Sequence, residues 1–204
     1  KDLNKNFNFL NPGFNFRNNE IGAVLGINQL RRLNKNITLR NRNFFPFLLA
    51  CGAIQSSHGL YYGFATIYWK SIGISETIIG ALWAEGVLFE IILLAYFYKF
   101  KNYTSSKIYL IFAGMLAVIR WSLMAYADTV LFIALIQILH AFTFGLTHLA
   151  AIHFISEVMP ARAQAKSQAL YSAISMGAFL AISIAFSGDL YSLFYEKSFC
   201  LIYY

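Results

Sequence analysis

Arg120, Glu85, Glu90, His58, His140 and His148, with Gln55 and Gln137, stand in stretches otherwise composed almost wholly of apolar residues. Ionisable side chains in such surroundings are expensive, so they face a cavity or one another. The chemistry open to this set is proton transfer and the holding of a charged solute. Histidine titrates near neutral pH and suits a proton relay, whereas a guanidinium suits a carboxylate. Gln55, His58 and Tyr62 are three and four residues apart, which places them on one helical face. Gln137, His140 and His148 fall within an arc of about 80° and read as one polar stripe. Glu85 and Glu90 project about 140° from each other, so one cavity cannot take both squarely. Arg120 lies thirteen residues beyond Lys107, and a guanidinium at that depth is expected to seek a carboxylate, Glu85 or Glu90. The plainer reading of an isolated Gln or His is inter-helix glue, worth roughly 0.6 kcal/mol. It holds best for Gln55 and Gln137, and for His153 and Glu157 near a span's end.

Metal and haem chemistry fit poorly. His140, His148 and His153 are separated by eight and five residues, not the i, i+4 spacing of helical metal ligands, and no H-E-x-x-H or C-x-x-C-H occurs. The two cysteines, Cys51 and Cys200, belong to no Cys/His cluster. No cofactor is expected, and an intramembrane histidine enzyme or haem protein is the weakest alternative; the chain reads as a non-enzyme.

The elements that must position these groups are membrane spans. Hydrophobic residues make up 58% of the chain and charged ones 12%, too few charges to cover a soluble protein of this size. Residues 1–43 form a basic, Asn-rich tail carrying eight of the sixteen Lys and Arg. Apolar runs of membrane length follow directly, so the tail reads as a cytoplasmic juxtamembrane segment and not as a nucleic-acid arm. A transmembrane bundle then occupies 44–204, with spans at about 44–67, 77–98, 108–127, 130–155 and 165–187, each near the roughly 20 residues a helix needs to cross. The fifth carries Ala169, Ala173, Gly177, Ala181 and Ala185 every four positions, a face that admits close helix approach. A turn at Gly188-Asp189 is expected to end it. Residues 190–204, fifteen with Glu196-Lys197 in the middle, offer only a partial sixth span.

The stretch Ile54-Gln55-Ser56-Ser57-His58-Gly59-Leu60-Tyr61-Tyr62-Gly63-Phe64, with Ile67-Tyr68-Trp69, resembles the seventh span of the 3-phenylpropionate transporter family of the major facilitator superfamily. Leu82-Trp83 with Gly86-Val87 and Glu90, Ile119-Arg120-Trp121, Ile136-Gln137-Ile138-Leu139-His140 through His148-Leu149-Ala150-Ala151, and Gln168-Ala169-Leu170-Tyr171-Ser172-Ala173 agree in order. Glu85 departs from the family pattern, where an apolar residue is usual, which favours Glu90. The resemblance implies twelve spans in two six-helix halves with the solute crossing between them. This chain would be an all-α integral membrane protein, the C-terminal six-helix lobe of a major facilitator fold with five full spans and a truncated sixth. Related proton-coupled sugar symporters place an Arg in span nine near His and Glu in span ten. Arg120, His140 and His148 are similar in kind, without that Glu.

The expected function is secondary active transport: proton-coupled uptake of a small organic solute, an aromatic carboxylate by resemblance, along His58, Glu90, Arg120, His140, His148, Gln55 and Gln137. Its partners would be the lipid bilayer, the solute, protons and an N-terminal half; the expected location is a bacterial inner membrane. An inactive fragment of a split or decaying transporter gene is the alternative. Orientation follows from loop charges. The tail and the loops 99–107 and 157–166 hold thirteen Lys and Arg, and the opposite side holds two, Lys70 and Lys197. Accordingly, a membrane-impermeant maleimide added to intact cells should label Lys70→Cys and spare Lys101→Cys; the reverse pattern would invert the topology.

Overall fold

In the computed structural model, residues 42–202 are described except Asp128, with backbone alone at 190 and 192–202. The expected basic tail, apart from its last two residues, lies outside the described residues. Among the described residues every regular element is helical: α1 (Phe44–Ser56), α2 (Gly59–Ser71), α3 (Glu76–Phe100), α4 (Ser106–Met124), α5 (Val130–Gln137), α6 (Leu146–Val158), α7 (Ala161–Tyr171) and α8 (Phe179–Ile202). Two π-helical segments, Ala141–Gly145 and Ser172–Ala178, join α5 to α6 and α7 to α8. Among the described residues, four helical stretches are long and apolar enough to cross a membrane: Glu76–Phe100, Ser106–Met124, Val130–Val158 and Ala161–Asp189.

Local chemistry sets the ends. Ser75 caps α3 by accepting from the Ile78 amide, and Thr129 caps α5 by accepting from Phe132. The segment expected as one span over 44–67 is instead two helices with a break at Ser57-His58. There the hydroxyls of Ser56 and Ser57 donate back to the carbonyls of Ala53 and Ile54, at 2.9 and 2.6 Å. His58 bonds Gln55 three residues back, not four. Side chains that bond the local backbone compete with the helical ladder, and three in succession interrupt it. The expected turn at Gly188-Asp189 is corrected as well, for α8 runs through it to Ile202. A single helical Gly costs only about 1 kcal/mol. No Pro follows, so nothing stops the helix.

Two apolar clusters sandwich a polar layer. One gathers Phe44, Leu48, Cys51, Leu110, Phe154 and Tyr171; the other gathers Tyr61, Trp69, Leu82, Met124, Ile133 and Ile136. Along the first, third and fourth spans the chain passes from one cluster to the other through His58, Arg120 and the 137–143 region. Leu88, Ile91, Ile111, Met115, Val118 and Leu131 are exposed on the outside, an apolar surface that belongs in lipid.

The alanine stripe of the fifth span is packed only in part: Ala173 is buried, whereas Ala181 and Ala185 are exposed. The wide π-helical segment Ser172–Ala178 breaks the four-residue register between Ala169 and Ala181. Close approach comes from Gly52, against the Phe179 ring, and from Gly59, against Ser183 of α8. A Cβ on Gly59 would stand 2.2 Å from Ser183 Oγ and 3.0 Å from its carbonyl carbon, whereas one on Gly63 meets nothing within 4 Å. Gly59→Ala should therefore cost about 1–3 kcal/mol as overpacking, and Gly63→Ala almost nothing. Thermal unfolding of the two variants in detergent reads the difference; equal stability would show that α2 and α8 do not touch as described.

Candidate functional site

Arg120 projects from α4 into the layer between the clusters and is fully buried. The expectation that its guanidinium meets Glu85 or Glu90 is corrected, since neutral side chains of the fourth span meet it. Nη2 donates to Gln137 Oε1 at 3.0 Å, and Nη1 lies 3.2 Å from Thr143 Oγ1 and 3.3 Å from His140 Nδ1. Two rings cover the flat faces of the cation, Trp121 at 4.5 Å and Tyr61 at 5.0 Å. Cation–π contact is strongest where water is excluded, and Arg120 is fully buried. Neutral acceptors give the charge hydrogen bonds without the further cost of desolvating an anion.

The other members hold this arrangement. Gln137 donates its amide to the Tyr61 hydroxyl and to the Leu82 carbonyl, the latter at 3.2 Å. His58, placed by the helix break, has Nδ1 3.1 Å from the Ile54 carbonyl and Nε2 3.1 Å from Thr143 Oγ1. Its ring meets Trp121 edge-on at 5.2 Å, and the Trp121 indole donates to Ser57 at 3.0 Å. His140 Nε2 faces the Tyr62 hydroxyl at 3.4 Å, the long end of the range.

A cavity of about 180 Å³ opens beside this cluster, lined by Tyr61, Tyr62, Trp83, Phe144, Glu90 and His140 among others. Gly145, in the π-helical segment, makes room for Glu90: a Cβ there would come within 3.1 Å of Glu90 Cγ.

Of the residues expected to share a pathway, His58, Arg120, Gln137 and His140 form one cluster, and Glu90 faces the cavity beside it. His148 and Gln55 do not join. The expected stripe of Gln137, His140 and His148 is broken because the π-helical turns after His140 change the register, leaving His148 Nδ1 3.3 Å from the Tyr171 hydroxyl. Gln55 is fully buried, and neither amide atom has a hydrogen-bond partner among the described residues. His153 and Glu157 make an i, i+4 contact of 3.3 Å near the end of α6, and Ser106 donates to Glu157 at 2.6 Å. Thr143 and Tyr61 were missed. A Thr in a span is ordinary in sequence, and the aromatic run around Tyr61 reads as interface.

Apolar helices long enough to cross a membrane, closed around a buried polar cluster, are the pattern of a polytopic membrane protein. The chain belongs to the MFS_1 like family, whose model matches residues 16–201, in accord with the resemblance to the major facilitator superfamily. It is similar to the Escherichia coli (strain K12) protein named "Probable 3-phenylpropionic acid transporter", with 36% identity over 155 residues, 74% of this chain and 39% of that protein. The chain thus spans about two fifths of the length of the relative it matches. No solved structure matches it.

Thr143 is the residue that joins Arg120 to His58. Thr143→Val keeps the shape and removes both bonds, so it should cost about 1–3 kcal/mol of stability. The Thr147 hydroxyl only bonds back to the Thr143 carbonyl, at 2.7 Å, and Thr147→Val should cost well under half as much. Thermal denaturation in detergent compares them; equal losses would remove Thr143 from the cluster.

Proposed function

We propose that this chain is one lobe of a proton-coupled carrier that takes up a small aromatic carboxylate. The observation that carries the reading is the cavity of about 180 Å³ bounded by Tyr61, Tyr62, Trp83 and Phe144 and backed by the buried Arg120 cluster. An apolar cavity of about 150 Å³ takes a benzene molecule, so the space suits one ring bearing a short chain. The rings supply the apolar walls, and the cluster supplies positive potential behind them. The name of the similar Escherichia coli protein supports an acid of this kind.

Glu90 sits in the same cavity and is the group suited to carry the coupled proton. An ionised Glu90 would repel an anionic solute in so small a space, whereas a protonated one would admit it. Solute and proton would then enter together. His58 and His140 are within the cluster and suit proton passage to and from it. Alternating access requires a second lobe rocking against this one, supplied by more of the same protein or by a separate chain in a bacterial inner membrane.

Uptake of labelled 3-phenylpropionate into vesicles with an inward proton gradient tests this, with the chain alone and with a first lobe co-expressed. Gradient-driven uptake is expected only with both lobes, and Glu90→Gln should abolish its dependence on the gradient. Uptake that survives collapse of the gradient would remove proton coupling. Lack of uptake in both arrangements would remove the substrate class.

A further inference from the structure

The hydrogen bonds around Arg120 have a direction, and that direction ends in the cavity. A guanidinium has five N–H donors and no acceptor. His140 Nδ1, 3.3 Å from Arg120 Nη1, must therefore present its lone pair. The ring's proton then resides on Nε2, which faces the Tyr62 hydroxyl at 3.4 Å. Tyr62 Oη accepts there, and its own proton is left to point elsewhere.

The same reasoning closes the neighbouring branches. Gln137 Oε1 accepts from Arg120, so its amide nitrogen donates, and the Tyr61 hydroxyl oxygen is one of its acceptors. His58 Nδ1 faces a carbonyl oxygen, which can only accept, so Nδ1 carries the proton and Nε2 accepts from Thr143. His140, Gln137, His58 and Thr143 are each committed to a neighbour. The two groups that accept from the cluster and still hold a proton to give are the hydroxyls of Tyr61 and Tyr62, and both residues line the cavity. Arg120 is fully buried and does not line it.

We infer that Tyr61 and Tyr62 are the donor pair that seats the carboxylate of an anionic ligand, and that Arg120 acts on the ligand only through them. The inference rests on reading the cavity as a solute site. Arg120 is then a positioning residue: it fixes the tautomer of His140 and the orientation of Gln137, and so aims both phenolic protons outward. Hydrogen bonds from a donor already polarised by a cation strengthen along the chain, which gives the site a preference for carboxylate over an uncharged group of the same shape.

Equilibrium binding to the full chain in lipid nanodiscs, with 3-phenylpropionate and its neutral amide as probes, tests the pair. Tyr62→Phe should weaken the acid about tenfold or more, as expected for a lost bond to a charged acceptor, and leave the amide within about twofold. Nitrogen-15 spectra of the wild type should show His140 protonated at Nε2. Acid binding unchanged in Tyr62→Phe would overturn the donor pair while leaving the solute site standing. A His140 proton on Nδ1 would overturn it whatever the binding data. Failure of the wild type to bind the acid would remove the solute site itself, and the pair with it.

Discussion

A fully buried guanidinium inside a bilayer is the constraint on which the rest of this structure depends. Leaving Arg120 without hydrogen bonds there would cost far more than the marginal stability of a domain supplies. Three spans are shaped to prevent it. The fourth delivers Gln137, His140 and Thr143 to one side of the cation, and the first delivers His58 to Thr143 at a break in its helix. Trp121, next to Arg120 on α4, lies over the cation and is itself anchored to Ser57. None of these contacts involves a second charge.

Irregular backbone marks the places where this network is built. The first span breaks at His58, and the fourth widens into a π-helical segment directly after His140. Such segments inside α-helices are rare and concentrate at functional sites. Here the widened turn has an identifiable role. It brings the Thr143 hydroxyl to the same guanidinium nitrogen as His140, and it places Gly145 where the Glu90 side chain passes. One of the freed carbonyls, that of Thr143, is served by the Thr147 hydroxyl, while the Thr143 hydroxyl proton is given to His58.

The aromatic residues do two jobs with one set of rings. Tyr61 covers Arg120 with its face and accepts from Gln137 with its hydroxyl. Trp83 packs against Tyr61 at 4.9 Å and against Tyr62 at 6.0 Å. The same rings therefore keep water from the cation and form the wall a solute would meet. Tyr61 thus touches the cation with one side and the cavity with the other, while Arg120 itself does not line the cavity.

Composition and run length determined that this is a helical membrane protein, because a chain with so few charges has no other way to cover its surface. Where polar residues interrupt apolar runs was equally legible, and Arg120, His58, Gln137 and His140 do come together. The order of motifs placed the chain in its family. Partners were not legible, because a helical wheel assumes 3.6 residues per turn throughout. Two π-helical segments and one break violate that assumption, which detached His148 and Gln55 from the cluster and left Ala181 and Ala185 of the fifth span's stripe exposed. Which group would meet Arg120 was decided only in three dimensions. Sequence offers a carboxylate as the natural mate of a buried cation, but packing set Gln137, Thr143 and His140 closer, and in a dry site neutral acceptors serve the charge without the cost of burying a second one.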